Sequence, residues 1–218
     1  MAMTEFAVTA PQRPVIPVED ASAVFPVRRI LCVGRNYAAH RAEMGGDDRD
    51  PPFFFSKPAD AVVPPGGDVP YPSGTENLHH EIELVVAIGE GGSIFGYAAG
   101  VDLTRRDLQA KAKDKGQPWD AAKGFDFSAP ISAIRRADGP PPRGRIRLSV
   151  NGEVRQDASV SDMLWNVEEI VVEAGKLWTL QAGDLIFTGT PEGVGPLIPG
   201  DLVEGEVEGA GALSFRIV

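Results

Sequence analysis

Two glutamates two residues apart, Glu81 and Glu83, interrupt the apolar run HHEIELVVAIGE between His79 and Glu90. In a strand, side chains at i and i+2 leave the same face, about 7 Å apart along the chain. Ile82, Leu84, Val86 and Ile88 then line the opposite face, while Val85 and Ala87 continue the glutamate face. A strand that is apolar on both sides is buried on both, and paired carboxylates there are costly without a positive partner. A third acid, Asp102, ends the apolar segment SIFGYAAGV, where a side chain can lean toward a neighbouring strand. Asp is a favoured helix N-cap, but Thr104 and Asp107 match a capping box for the helix that follows, which leaves Asp102 for other work. Three carboxylates converging in an apolar sheet make an all-oxygen site for a hard divalent cation, Mg²⁺ or Mn²⁺. The competing reading is an exposed edge strand whose glutamates pair with lysines, and the apolar flanks weigh against it. Three protein ligands on an octahedral ion leave about three positions for water or a chelating substrate.

Other polar residues have spacings that allow chemistry. His40 and Glu43, three apart in the short helical segment NYAAHRAEM, share a face, so the glutamate can orient the imidazole as a general base. A solvated ion pair is the ordinary outcome of that spacing. The polar GGDDRDPP that follows should be mobile, and such a tether lets a helix close over a bound molecule. Arg106 and Gln109 share a face of the next helix, where they could hold a carboxylate or carbonyl or simply face solvent.

The elements that must position these residues are mostly strands. RRILCVG, FFFSKP, AVVPP, the glutamate segment and SIFGYAAGVDLT read as extended pieces. RRDLQAKAKDK reads as a helix closed by Gly116. Asn151-Gly152 between alternating segments is a hairpin signal. NVEEIVVEAGKLWTL places Val167, Ile170, Val171, Ala174, Leu177 and Trp178 on one helical face. The C-terminal stretch is short strands split by Gly-Asp and Pro-Gly turns. The expected fold class is mixed β with few helices (α+β), mostly antiparallel.

With 218 residues and no composition break, the chain reads as one core. Its 25 glycines and 19 prolines punctuate turns without reaching low complexity. A formal net charge of −10 disfavours nucleic acid or an anionic membrane and points to a small-molecule partner. The single Cys32 sits in an apolar run, where a buried inert thiol is expected, and no intrachain disulfide can form. The N-terminus lacks an apolar signal region and no stretch approaches a membrane span, so a cytoplasmic protein is expected.

The segments VGRNYAAHRAEM, HHEIELVVAIG, GYAAGVDLTRRDLQ, PWDAAKGFDFSAPIS and LIFTGTPEGVG follow the order of motifs in the fumarylacetoacetate hydrolase family, and the chain resembles most closely its acylpyruvase and fumarylpyruvate hydrolase members. The resemblance covers residues 27–218 as a catalytic domain, with 1–26 as an N-terminal extension. It implies a β-roll-like fold, a homodimer, and Mg²⁺ or Mn²⁺ held by Glu81, Glu83 and Asp102. It further implies catalytic His40 and Glu43, and substrate contacts from Arg106 and Gln109. Lys123, in WDAAKGFD, resembles the family lysine beside the metal, where an ammonium would stabilise an oxyanion on substrate. The FTGTPEGVG motif lacks the lysine of a phosphate loop and implies a turn whose amides, with the Thr190 hydroxyl, bind a carboxylate. One of His79 and His80 is expected to pack against or orient a ligand. The implied reaction is hydrolytic carbon–carbon cleavage of a 2,4-diketo acid such as fumarylpyruvate, releasing pyruvate. The alternative is a metal-dependent decarboxylase of oxaloacetate or a related 2-oxo acid, and a non-catalytic metal-binding module is the third reading.

Overall fold

The computed structural model describes residues 6–37 and 50–218. A six-stranded mixed sheet forms its centre, in the spatial order Arg135–Arg136, Ile94–Val101, Ile82–Ile88, Asp184–Phe187, Arg29–Gly34, Phe53–Lys57. All its neighbours are antiparallel except Asp184–Phe187 beside Arg29–Gly34. A second, fully antiparallel sheet runs Glu153–Ser159, Arg145–Val150, Leu202–Val207, Gly211–Arg216. Three α-helices accompany them among the described residues, Arg106–Asp114, Asp120–Lys123 and Val167–Leu177. The expected α+β class, dominated by antiparallel strands, is what the chain adopts.

The glutamate strand is buried on both faces, for the reason its pattern suggests. Ile82, Leu84, Val86 and Ile88 pack with Ile146, Leu148, Val203 and Phe215 of the second sheet and with Val167 and Ile170 of the last helix. Val85 and Ala87 face a separate cluster with Ile30, Cys32, Leu185 and Phe187. Ile16, Val18 and Phe25, from the N-terminal extension, together with Val27, complete that second cluster. Cys32 is fully buried, and burial pushes its thiol well above the ordinary range.

Local signals explain several element ends. Asn151 and Gly152 both have positive φ (53° and 80°), the geometry of a type I′ hairpin, and Val150 pairs with Glu153 across it. The last helix opens with a capping box in which Asn166 and Glu169 exchange hydrogen bonds with each other's backbone. Its inward face is Val167, Ile170 and Ala174, while Leu177, expected inward, is exposed because the helix ends there. The capping box expected from Thr104 and Asp107 does not form. Thr104 instead pairs in a strand with His79 and donates to Glu81 Oε1 at 3.2 Å, and the Asp107 carboxylate accepts from the Thr75 hydroxyl at 2.5 Å. The helix begins after Arg105, with no side-chain cap.

Candidate active site

Strand register brings the three acids together. Ile82 pairs with Val101 and Glu83 with Gly100, so Glu81 and Asp102 leave adjacent strand ends, and the Asp102 amide donates to the Glu81 carbonyl at 2.8 Å. Glu81, Glu83 and Asp102 are 5 %, 1 % and 0 % exposed, which excludes the edge-strand reading. One carboxylate oxygen from each lies within 4.8 Å of the others. A cavity of about 20 Å³ touches all three, together with Arg106, Lys123 and Thr190. That is room for an ion or a water. The donors are hard oxygens in an apolar surround, so the set fits Mg²⁺ or Mn²⁺.

Cations surround the acids. Lys123, at the end of the short helix Asp120–Lys123, donates to Glu81 Oε2 at 2.7 Å and to Asp102 Oδ2 at 2.5 Å. Its burial depresses the pKa, but the Asp102 and Glu81 charges outweigh this and hold the ammonium above its ordinary value. Arg106 reaches Glu81 Oε1 through Nη2 at 2.6 Å. Lys57, 2 % exposed, places Nζ 2.8 Å from Asp102 Oδ1 while donating to the carbonyls of Leu103 and Lys123. Among the described residues no such cation pairs with Glu83, whose Oε2 accepts from the Gly189 amide at 2.7 Å. Burial, then the charges of Asp102 and Glu81, push the Glu83 carboxyl well above the carboxylate range. A divalent ion among these oxygens relieves that repulsion.

The remaining expected residues fall as follows. Gln109 is buried beside Arg106, whose Nη1 donates to Gln109 Oε1 at 2.6 Å, so the Gln109 amide nitrogen is left as a donor. Thr190 is buried and lines the same small cavity, while the Gly189 amide is spent on Glu83 and is unavailable to a substrate. His79 accepts from Arg106 Nε at 3.4 Å and therefore donates from Nε2 to Asn77 Oδ1 at 2.9 Å. Burial and then the Arg106 charge lower its pKa to about 4, keeping it a neutral support for the arginine that holds Glu81. His40 and Glu43, and most of the expected tether, lie outside the described residues.

The family model for the fumarylacetoacetate (FAA) hydrolase C-terminal domain matches residues 29–218. The chain belongs to the fumarylacetoacetate hydrolase family. A fumarylpyruvate hydrolase of a Ralstonia species is 44 % identical over 76 % of this chain and 92 % of its own. The mitochondrial oxaloacetate tautomerase of Mus musculus is 41 % identical over 87 % of this chain and 91 % of its own. The crystal structure of fumarylpyruvate hydrolase from Pseudomonas aeruginosa in complex with Mn²⁺ and pyruvate superimposes with a TM-score of 0.94 at 45 % identity. That match covers 98 % of this chain and 99 % of the other.

In this family member, sequence reasoning passed over three supporting residues. Lys57 carried only a weak signal, a lysine ending an apolar strand. Gln156 is fully buried, and its Oε1 accepts from the Ile82 amide and from His80 Nδ1, so its Nε2 donates to Thr190 Oγ1 at 2.8 Å. The Thr190 hydroxyl proton is thereby turned to another acceptor. Asn36 donates to the carbonyls of Trp165 and Thr188 and accepts from the Trp165 amide, all at 2.8 to 2.9 Å. Gly189 packs against it with φ 97°, and a Cβ there would lie 2.7 Å from Asn36 Cβ. Asn36→Leu should therefore strand buried backbone groups and destabilise the protein by about 3 kcal/mol or more, read as a lower denaturation midpoint. An unchanged midpoint would show that the turn does not depend on this clamp.

Proposed function

We propose that the protein is a metal-dependent hydrolase that cleaves a carbon–carbon bond in acylpyruvates, 2,4-diketo acids such as fumarylpyruvate, and releases pyruvate. The observation that carries this reading is the buried ammonium of Lys123 between Glu81 and Asp102, in a site whose oxygens suit a divalent ion. Cleavage of a carbon–carbon bond needs a place for the electron pair, and an enolate oxygen beside a fixed ammonium provides it.

Glu81, Glu83 and Asp102 would hold Mg²⁺ or Mn²⁺. Bound there, the ion supplies Lewis acidity toward substrate oxygens. The three acids already face three cations, Lys57, Lys123 and Arg106. Two added positive charges thus favour a ligand that brings two negative ones, as the carboxylate and enolate oxygen of a pyruvate enolate do. Lys123 steadies the enolate oxygen. The Gln109 amide, the Arg106 guanidinium and the Thr190 hydroxyl orient the pyruvoyl end. His40, supported by Glu43, takes a proton from the water that attacks the distal carbonyl. The bond between that carbon and the methylene breaks, its pair passes to the methylene as enolate, and protonation there gives pyruvate and the free acid. A homodimer in the cytoplasm completes the reading.

A second reading is favoured by the oxaloacetate tautomerase among the relatives. Keto–enol interconversion of oxaloacetate passes through a similar enolate without water, as does the decarboxylation considered from sequence. An assay panel of fumarylpyruvate, acetylpyruvate and oxaloacetate separates these, with pyruvate, CO₂ and the enol absorbance followed independently. Pyruvate without CO₂ from the diketo acids is expected. Enol loss or CO₂ from oxaloacetate with no diketo acid cleaved would reject the hydrolase.

A further inference from the structure

Gln156 is the one buried side chain of the strand Glu153–Ser159, whose other residues are exposed or half-buried. An extra residue in the pairing turns it inward. Leu148 faces Gln156 and Ser149 faces Val154, so Arg155 bulges between them. Bulges re-aim a side chain and are common beside active sites. The turn after Thr190 lies flat against this bulge, where Gly193 has φ 90° and a Cβ would collide with the Arg155 carbonyl oxygen. We propose that Gln156 is a positioning residue of the ligand site, holding the Thr190 hydroxyl as a donor into the metal cavity so that this corner takes only an acceptor oxygen. The inference rests on the reading of the ligand as a 2-oxo acid and adds how the turn is set to receive it.

The Gln156 amide has one orientation open to it. The Ile82 amide can only donate and the Pro191 carbonyl can only accept. The atom 3.1 Å from the first is therefore Oε1, and the atom 3.0 Å from the second is Nε2. Both remaining bonds inherit a direction from these. Nε2 donates its second proton to Thr190 Oγ1 at 2.8 Å, and Oε1 accepts from His80 Nδ1 at 3.0 Å. Every polar atom of this buried side chain is then satisfied, which makes the network stiff.

Two consequences follow from that direction. The Thr190 hydroxyl accepts from Gln156 and has no acceptor for its own proton among the described residues. It lines the cavity with the three acids, Arg106, Gln109 and Lys123, so a ligand oxygen there supplies the acceptor. His80 must carry its proton on Nδ1, which leaves Nε2 bare, buried and without a partner among the described residues. Its neighbour His79 carries the proton on Nε2, so adjacent histidines hold opposite tautomers. Gln156 thus joins the strand residue between Glu81 and Glu83 to the turn that meets the ligand.

The first test needs no substitution. Nitrogen-15 NMR of the three histidines in the metal-free protein should show His80 as the Nδ1–H tautomer and His79 as the Nε2–H tautomer. A proton on His80 Nε2 would reverse the amide and overturn the proposal. The second test is a double-mutant cycle on oxalate, whose oxygens stand in for the carboxylate and enolate oxygen, titrated calorimetrically into the Mn²⁺-loaded protein. Thr190→Val should weaken oxalate by about tenfold or more, the usual worth of a hydrogen bond to a charged group. In a Gln156→Met background the same substitution should weaken it by less than about threefold, because the hydroxyl is no longer held toward the cavity. A glutamine with a merely structural role predicts the same Thr190→Val factor in both backgrounds, and that result would overturn the proposal. So would a parent protein that binds no oxalate. Turnover judges the hydrolase reading separately. If fumarylpyruvate is not cleaved, that reading fails, and the tautomer and the cycle still decide the role of Gln156.

Discussion

Glu83→Gln should abolish Mn²⁺ binding and leave the metal-free protein at least as stable as the parent, whereas Glu81→Gln should lose both metal and stability. The two acids sit on one strand, yet their partners differ. Glu81 accepts from Lys123, Arg106 and Thr104, so its neutralisation takes the carboxylate charge away from Arg106 and leaves the buried Lys123 with Asp102 in place of two acids. Breaking such a buried arrangement costs about 3 to 5 kcal/mol. Glu83 has the Gly189 amide as its donor and is repelled by Asp102 and Glu81, so a glutamine, whose Oε1 can keep the Gly189 bond, removes a buried charge at little cost. Each substitution should lower acylpyruvate cleavage by about 10³-fold or more, since loss of the ion removes several kcal/mol of transition-state stabilisation. Calorimetric titration with Mn²⁺ and denaturation in the presence of chelator read the two effects separately. Metal binding retained by both variants would remove the triad as the metal site, and equal stabilities would contradict the partner assignment.

The second large effect is expected at His40. If it takes the proton of the attacking water, His40→Ala should slow acylpyruvate cleavage by about 10² to 10⁴-fold, the usual contribution of a positioned general base. Enolisation or decarboxylation of oxaloacetate needs no such water and should stay within about tenfold of the parent. Lys123→Met should impair every one of these reactions, because each passes an enolate beside the same ammonium. Parallel losses in His40→Ala would mean that the histidine protonates the shared enolate and does not activate water.

The acid triad was legible because period-two spacing on a doubly apolar strand leaves a carboxylate pair no inexpensive explanation, and Asp102 because it ends the adjoining strand. The Asn151-Gly152 hairpin and the inward face of the last helix were legible for equally local reasons. What failed was also local. Thr104 and Asp107 have capping-box spacing, but Thr104 is claimed by a strand pairing with His79 that no spacing along the chain reveals. The residues that complete the site arrive through tertiary contacts. Lys57 reaches Asp102 from 45 residues away in sequence, and Gln156 joins Ile82, His80 and Thr190 across the gap between two sheets. Charge balance was half legible. A positive partner for the glutamates was required, and the structure supplies lysines and an arginine arranged so that a divalent ion can still fit.

Hydrolytic cleavage is tested most directly by turnover of fumarylpyruvate in ¹⁸O-labelled water with Mn²⁺ present. Attack of water on the distal carbonyl predicts equimolar pyruvate and fumarate, with one solvent oxygen in a fumarate carboxylate. Release of CO₂, or a spectral change from enolisation with no fumarate formed, would contradict it.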